Sequence, residues 1–189
     1  MPDVTTPSAD LSVRVAWAAD APAVARLQVR AWRESYADLL PPAILDTLPV
    51  ESFAEAWGRS IARPTEARQR VLVALERATV RGFAATAPAT DGDASPAKDA
   101  EVTEFVVDAD SRNAGHGSRL LHAAVDTLRS DGFVRATVWL SSTADGLRTF
   151  LVDQGWAPDG AHRELDLHGD GSVTVKQVRL HTDLTTTAA

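Results

Sequence analysis

The chain has 189 residues, 44% of them hydrophobic, which is enough for one domain with a sizeable core. It contains no cysteine, so disulfides, thiol catalysis and thiolate metal sites are excluded. A formal charge of −7 argues against a general nucleic-acid binder, which needs a basic face; it suits cationic or amine substrates, and solubility alone explains it equally well.

Residues 1 to 10 are polar, with Pro and Thr, and are expected to form a loose tail; residues 185 to 189 are expected to form another. Between them, residues 11 to 184 read as a single domain. The N-terminus lacks the basic-then-apolar order of a signal peptide and no apolar run approaches eighteen residues, so a cytoplasmic protein without a membrane segment is expected. Leu11, Val13 and Val15 alternate with polar neighbours and predict a strand. Asp20 is placed to cap a helix whose apolar face carries Val24, Leu27 and Ala31, with Arg26, Arg30 and Arg33 outside. Pro41-Pro42 marks a break, after which a second helical segment runs through Ile44 to Trp57. Val71 to Leu75 and Val80 to Ala85, joined at Glu76-Arg77, predict a hairpin. Residues 87 to 100 have no apolar periodicity and read as a mobile loop.

An apolar strand then ends at Phe105-Val106-Val107 and gives way to Arg112-x-x-Gly115-x-Gly117, followed by a helix with Leu120, Leu121, Ala124, Val125 and Leu128 at helical spacing. A strand feeding a glycine-rich turn and a helix N-terminus is a phosphate cradle. Glycines let the backbone approach the ligand, and the first-turn N–H groups point at its oxygens. The bland alternative is a mere turn at Gly115 and Gly117. A dinucleotide-binding reading fails because the third glycine of G-x-G-x-x-G falls at Leu120, and no Gly-Lys-Ser/Thr exists for a Walker loop. Ser130-Asp131-Gly132 ends the helix. A strand over Val134 to Leu140, a helix over Asp145 to Gln154 and two strands about Arg163 to Leu167 and Val173 to Leu180 complete an α/β arrangement around a mixed sheet.

Arg112-Asn113-Ala114-Gly115-His116-Gly117-Ser118 resembles the pyrophosphate signature of the GNAT superfamily of acyl-CoA-dependent N-acyltransferases. Val138-Trp139-Leu140 is similar to that family's next strand, Phe150 to Gly160 to its F-Y-x-x-x-G-F-x-x-x-G ending, and Ala31-Trp32-Arg33-Glu34-Ser35-Tyr36 with Leu39-Leu40-Pro41 to its substrate-side helices. The resemblance implies a mixed, mostly antiparallel sheet flanked by helices, with splayed strands forming the acyl-CoA cleft. It implies pantetheine contacts along Phe105, Val106 and Val107, and pyrophosphate contacts from Asn113, Ala114, Gly115, His116, Gly117 and Ser118, with Arg112 adding positive charge. It further implies acetyl transfer from acetyl-CoA to a primary amine of a small molecule or protein, without a metal, and leaves a homodimer open.

The general base implied by the resemblance is Glu101 first and Glu104 second, because Glu104 has the opposite strand parity and faces the other side of the sheet unless a bulge intervenes. Trp32, Glu34 and Tyr36 are candidates for substrate contact, and Tyr36 also for acid work. Two positions depart from the family pattern: Leu151 stands where many members carry a proton-donating tyrosine, and Ala144 where an asparagine is common. Leu151 is expected to point into the cleft. These departures keep a second reading alive, a module that binds acyl-CoA or a protein partner without turnover. His116 is expected to be solvent-exposed, and Trp139 and Trp156 to be core. His122, His162, His168 and His181 lack metal-ligand spacing.

Overall fold

The computed structural model describes residues 11–185, so the two expected tails lie outside the described residues except for Thr185. Seven strands form one sheet: β1 (Leu11–Val15), β2 (Arg70–Glu76), β3 (Thr79–Pro88), β4 (Asp99–Val107), β5 (Arg135–Ser141), β6 (Ala157–Asp166) and β7 (Thr174–Asp183), in the order β1-β2-β3-β4-β5-β7-β6. Every neighbouring pair is antiparallel except β4 and β5. A parallel pair needs a crossover, and α4 (His116–Ser130) supplies it. The helices α1 (Ala21–Ser35), α2 (Pro42–Asp46), α3 (Val50–Ala62) and α5 (Asp145–Asp153) complete the layers.

Apolar residues at helical spacing bury one face of α1 and one of α4. Val24 and Leu27 of α1 pack with Val71, Val73, Phe83 and Ala85 on one face of the sheet. On the other face, Leu120 and Ala124 of α4 meet Leu72, Ala74 and Ala84, while Leu121 and Leu128 join Val138, Leu140, Leu180 and Trp156. Among the described residues no helix is long and apolar enough to cross a membrane.

Several local expectations change. The single helical segment of residues 44–57 is two helices, because Pro49 interrupts the backbone ladder at the entry to α3. Asp20 does not cap α1; its carboxylate accepts from the Trp17 N–H at 2.7 Å and pairs with Arg14. The segment 87–100 is not a free loop. β3 extends to Pro88, and buried Arg179, 4% exposed, donates to Asp91 at 3.0 Å and to Asp93 at 2.5 and 2.8 Å. Arg68 also holds the carbonyls of Pro96 and Ala97. Polar composition alone does not reveal carboxylates pinned by a cation eighty-odd residues away.

The strands that matter for function part company in mid-sheet. β4 and β5 pair only from Asp99↔Arg135 to Val102↔Val138; beyond that, β4 stays with β3 and β5 stays with β7. At the same level β4 carries a bulge: Val102 lies opposite Thr86 and Glu104 opposite Ala85, leaving Thr103 as the extra residue, its hydroxyl donating to the Ala85 carbonyl at 3.3 Å. A bulge bends its strand and sharpens the local twist, which matches the fork opening here.

Candidate active site

The fork has an open backbone edge. The Asp108 N–H donates to the Arg81 carbonyl at 2.8 Å, so residue 108 turns its amide toward β3. In an antiparallel ladder the direction alternates, so Val106 also turns to β3 whereas Phe105 and Val107 turn to the unpaired side, where β5 has departed. Val106 therefore departs from the expectation that groups it with the open-edge contacts; its side chain packs beneath α1, against the cluster that contains Phe83. Phe105 stacks on Phe150, with centroids 5.9 Å apart.

Beside this edge sits the turn into α4. Asn113 and Gly115 both have positive φ, 63° and 84°, and Gly115 is the residue from which the helix starts. A Cβ at Gly115 would lie 2.5 Å from an Arg119 guanidinium nitrogen, and one at Gly117 would lie 3.4 Å from the Phe150 ring and 3.6 Å from Val107. No protein group among the described residues accepts from the N–H groups of residues 113–118, as the first turn of a helix requires. Those donors and the positive end of the helix dipole make an anion cradle. The end of β4 is anchored by buried Asp108, which pairs with Arg30 at 2.6 Å and faces Arg81 at 3.7 Å. Arg112, expected at the phosphates, pairs with Glu34 of α1 at 2.8 Å, so these two predicted site residues meet each other.

His116 corrects the sequence reading. It is 2% exposed, not solvated, and its Nε2 finds no hydrogen-bond partner among the described residues. Burial holds its pKa below the ordinary imidazole value. As the first residue of α4 it lends its backbone to the cradle while its ring is buried.

The opposite face of the fork carries the titratable groups. The Thr103 bulge resets the parity of β4, so Glu101 and Glu104, opposite Ala87 and Ala85, lie on the same side as α1. Glu101 sits within the paired stretch, opposite Thr137 of β5, whereas Glu104 lies beyond the last pair, next to the open edge. Burial raises the Glu104 pKa to about 7, with a hydrogen bond from Gln28 Nε2 at 3.1 Å opposing the shift. Glu101 is also raised, by burial and by Asp91, against the pull of Arg163 and Arg179. Tyr36 lies near Glu104; burial and that carboxylate both raise its pKa. Its ring meets Trp32 edge-on at 6.3 Å, and Trp32 meets Phe53 at 5.1 Å, forming an aromatic wall from α1 and α3.

Two further expectations change. Leu151 does not open into the cleft: it is 1% exposed and packs with Val102, Leu121, Val138 and Trp156. Phe150, one residue earlier, is the α5 side chain that faces the cradle. Trp139 is not core but half-buried at the fork, its Nε1 donating to Asp91 at 3.0 Å and Arg163 lying over its ring at 4.2 Å. Trp156 is core as expected, at 3% exposure. Sequence reasoning missed Gln28, a buried polar residue on the apolar stripe of α1, and Arg179; a polar residue at a core position was the available signal for Gln28. Among the described residues no cluster of three or more His, Asp or Glu could hold a metal ion.

Solved structures share the whole fold. The putative acetyltransferase yncA from Salmonella typhimurium, solved with its cofactor acetyl-CoA, aligns with TM-score 0.68 and 18% identity over 95% of this chain and 96% of that one. The paia N-acetyltransferase from Thermoplasma acidophilum, in complex with coenzyme A, aligns with TM-score 0.67 and 16% identity over 88% and 97%. A GCN5-related N-acetyltransferase from Kribbella flavida aligns with TM-score 0.68 and 22% identity over 94% and 99%. No curated protein sequence matches the chain. The profile of the acetyltransferase (GNAT) family matches residues 23–150, more than half of the chain, and contains the fork, the cradle and both glutamates. The chain belongs to the GNAT acetyltransferase family.

Proposed function

We propose that the protein transfers an acyl group, acetyl in the first instance, from acyl-CoA to a primary amine of a small molecule or a protein, with Glu104 as the proton acceptor. The observation that carries this reading is the position of Glu104: the first face-directed carboxylate past the fork, on the strand whose open edge leads to the cradle. The cradle fits a pyrophosphate because its N–H groups are unpaired and because Gly115, at φ 84°, keeps the turn clear of a Cβ. When bound, acyl-CoA supplies a thioester carbon as electrophile and a thiolate as leaving group.

The chain's own part is positioning, polarisation and proton removal. The N–H groups of Phe105 and Val107, unpaired on the open edge, are available to thioester-side acceptors. An alkylammonium has a pKa near that of lysine, about 10.4, so it must lose a proton before its nitrogen can attack. A carboxylate with a pKa of about 7 is a stronger base than an ordinary glutamate and is still half ionised at neutral pH. Glu101, ranked first from sequence, becomes a secondary group here because it lies inside the paired stretch. Tyr36 and Trp32 would line the acceptor side, while Glu34 is drawn to Arg112. A cytoplasmic site of action belongs to the same reading.

Buried Leu151 favours a second reading, acyl-CoA binding without turnover, since no proton donor stands at that position. A panel of amines with acetyl-CoA, followed by free-thiol release, tests the proposal. CoA should raise the melting temperature by mass action, and at least one amine should release thiol. A CoA-induced shift with no thiol release from any amine would favour the binding module. No shift at all would sink both.

A further inference from the structure

Gln28 is 5% exposed, on the α1 face that covers the fork, and both ends of its amide are engaged. Its Oε1 accepts from Trp57 Nε1 at 2.8 Å, and its Nε2 donates to Glu104 Oε1 at 3.1 Å. An indole N–H can only donate, so the amide oxygen must face Trp57. A flipped amide would set two donors against each other at Trp57 and two acceptors against each other at Glu104. The orientation is therefore dictated by Trp57 of α3, a residue distant in sequence from the carboxylate it serves.

We infer that Gln28, locked by Trp57, is a positioning residue that holds Glu104 as a hydrogen-bonded carboxylate at the fork. The inference rests on the reading of Glu104 as proton acceptor. The other groups facing Glu104 do not offer this support: Tyr36, from the end of α1, is near enough to feel the carboxylate's charge, and Glu101 lies on the same face of β4. Among the described residues no Lys, Arg or His forms an ion pair with Glu104. A desolvated carboxylate with no cation keeps its charged form only through donated hydrogen bonds. Here Gln28 supplies that donor, offsetting the burial that drives the pKa up.

The test is a carbon-13 titration of the glutamate side-chain carboxyls in the full chain, with the Glu104 resonance identified by its loss in Glu104→Gln. The wild type should titrate with a midpoint near 7. Gln28→Met keeps the length of the side chain but removes the donor, and should move the midpoint upward by about one pH unit. Trp57→Phe leaves the amide free to flip and should move it in the same direction by less; this variant carries the test if Gln28→Met does not fold. A midpoint unmoved or lowered in the variants that fold, even with a lower melting temperature, would overturn the inference and leave Gln28 a packing residue. If the midpoint moves as expected but Glu104→Gln retains full turnover, the lock stands and the base assignment fails.

Discussion

The two sides of the fork are built on different principles. On the α4 side, binding capacity resides in the backbone: unpaired N–H groups at residues 113–118, two positive-φ residues, and Gly115, where a Cβ would collide with Arg119. On the α1 side it resides in side chains from three distant segments, Gln28, Trp57 and Glu104, joined by two hydrogen bonds. A backbone device is local, so six consecutive residues specify it. A side-chain relay depends on tertiary packing, so no short motif announces it. The difference also predicts how each side fails: the cradle by conformational change at one residue, the relay by gradual loss of charge control.

Gly115→Val should separate the two most sharply. A β-branched residue at φ 84° is strained by roughly 1–2 kcal/mol, and its Cβ would displace Arg119. The CoA-induced rise in melting temperature should vanish, while the Glu104 titration on the opposite face stays near 7. A retained CoA response would show that the turn does not depend on that left-handed residue. Leu151→Ala should instead weaken the core on the α4 face, where Leu151 packs with Val102, Leu121, Val138 and Trp156. Removing a side chain that is 1% exposed should cost about 2–5 kcal/mol by cavity formation, read by denaturant unfolding, with CoA affinity nearly unchanged in the folded protein. A small stability loss with a large loss of CoA affinity would place Leu151 in the cleft after all.

The same contrast explains what could be read from the sequence. The order of strands and helices followed from hydrophobic periodicity, and the cradle from Arg112-x-x-Gly115-x-Gly117, because both signals are local. The longer extents of β6 and β7 are not legible, since long-range pairing, Ala157 with His181 and His162 with Val178, carries the strands through residues 157–162 and 181–183. The bulge at Thr103 was foreseen only as a condition on Glu104; nothing in Glu101-Val102-Thr103-Glu104 encodes it, and pairing with Ala85 and Thr86 decides it. His116 and Trp139 were misplaced for one reason. Each is amphipathic, and whether such a ring is buried depends on neighbours supplied by other elements.

On the proposed function, one strand presents a CoA cradle at its end and a proton acceptor beside the fork. The most direct measurement compares wild type and Glu104→Gln for CoA affinity and for the pH profile of thiol release with an amine acceptor. With ionised Glu104 as the proposed proton acceptor, the wild-type rate should rise with pH through about 7 and then level. Glu104→Gln should bind CoA with unchanged affinity, lose that rise, and turn over on the order of a hundredfold more slowly at neutral pH. A variant that keeps both the wild-type rate and the rise near pH 7 would overturn Glu104 as proton acceptor and move that role elsewhere.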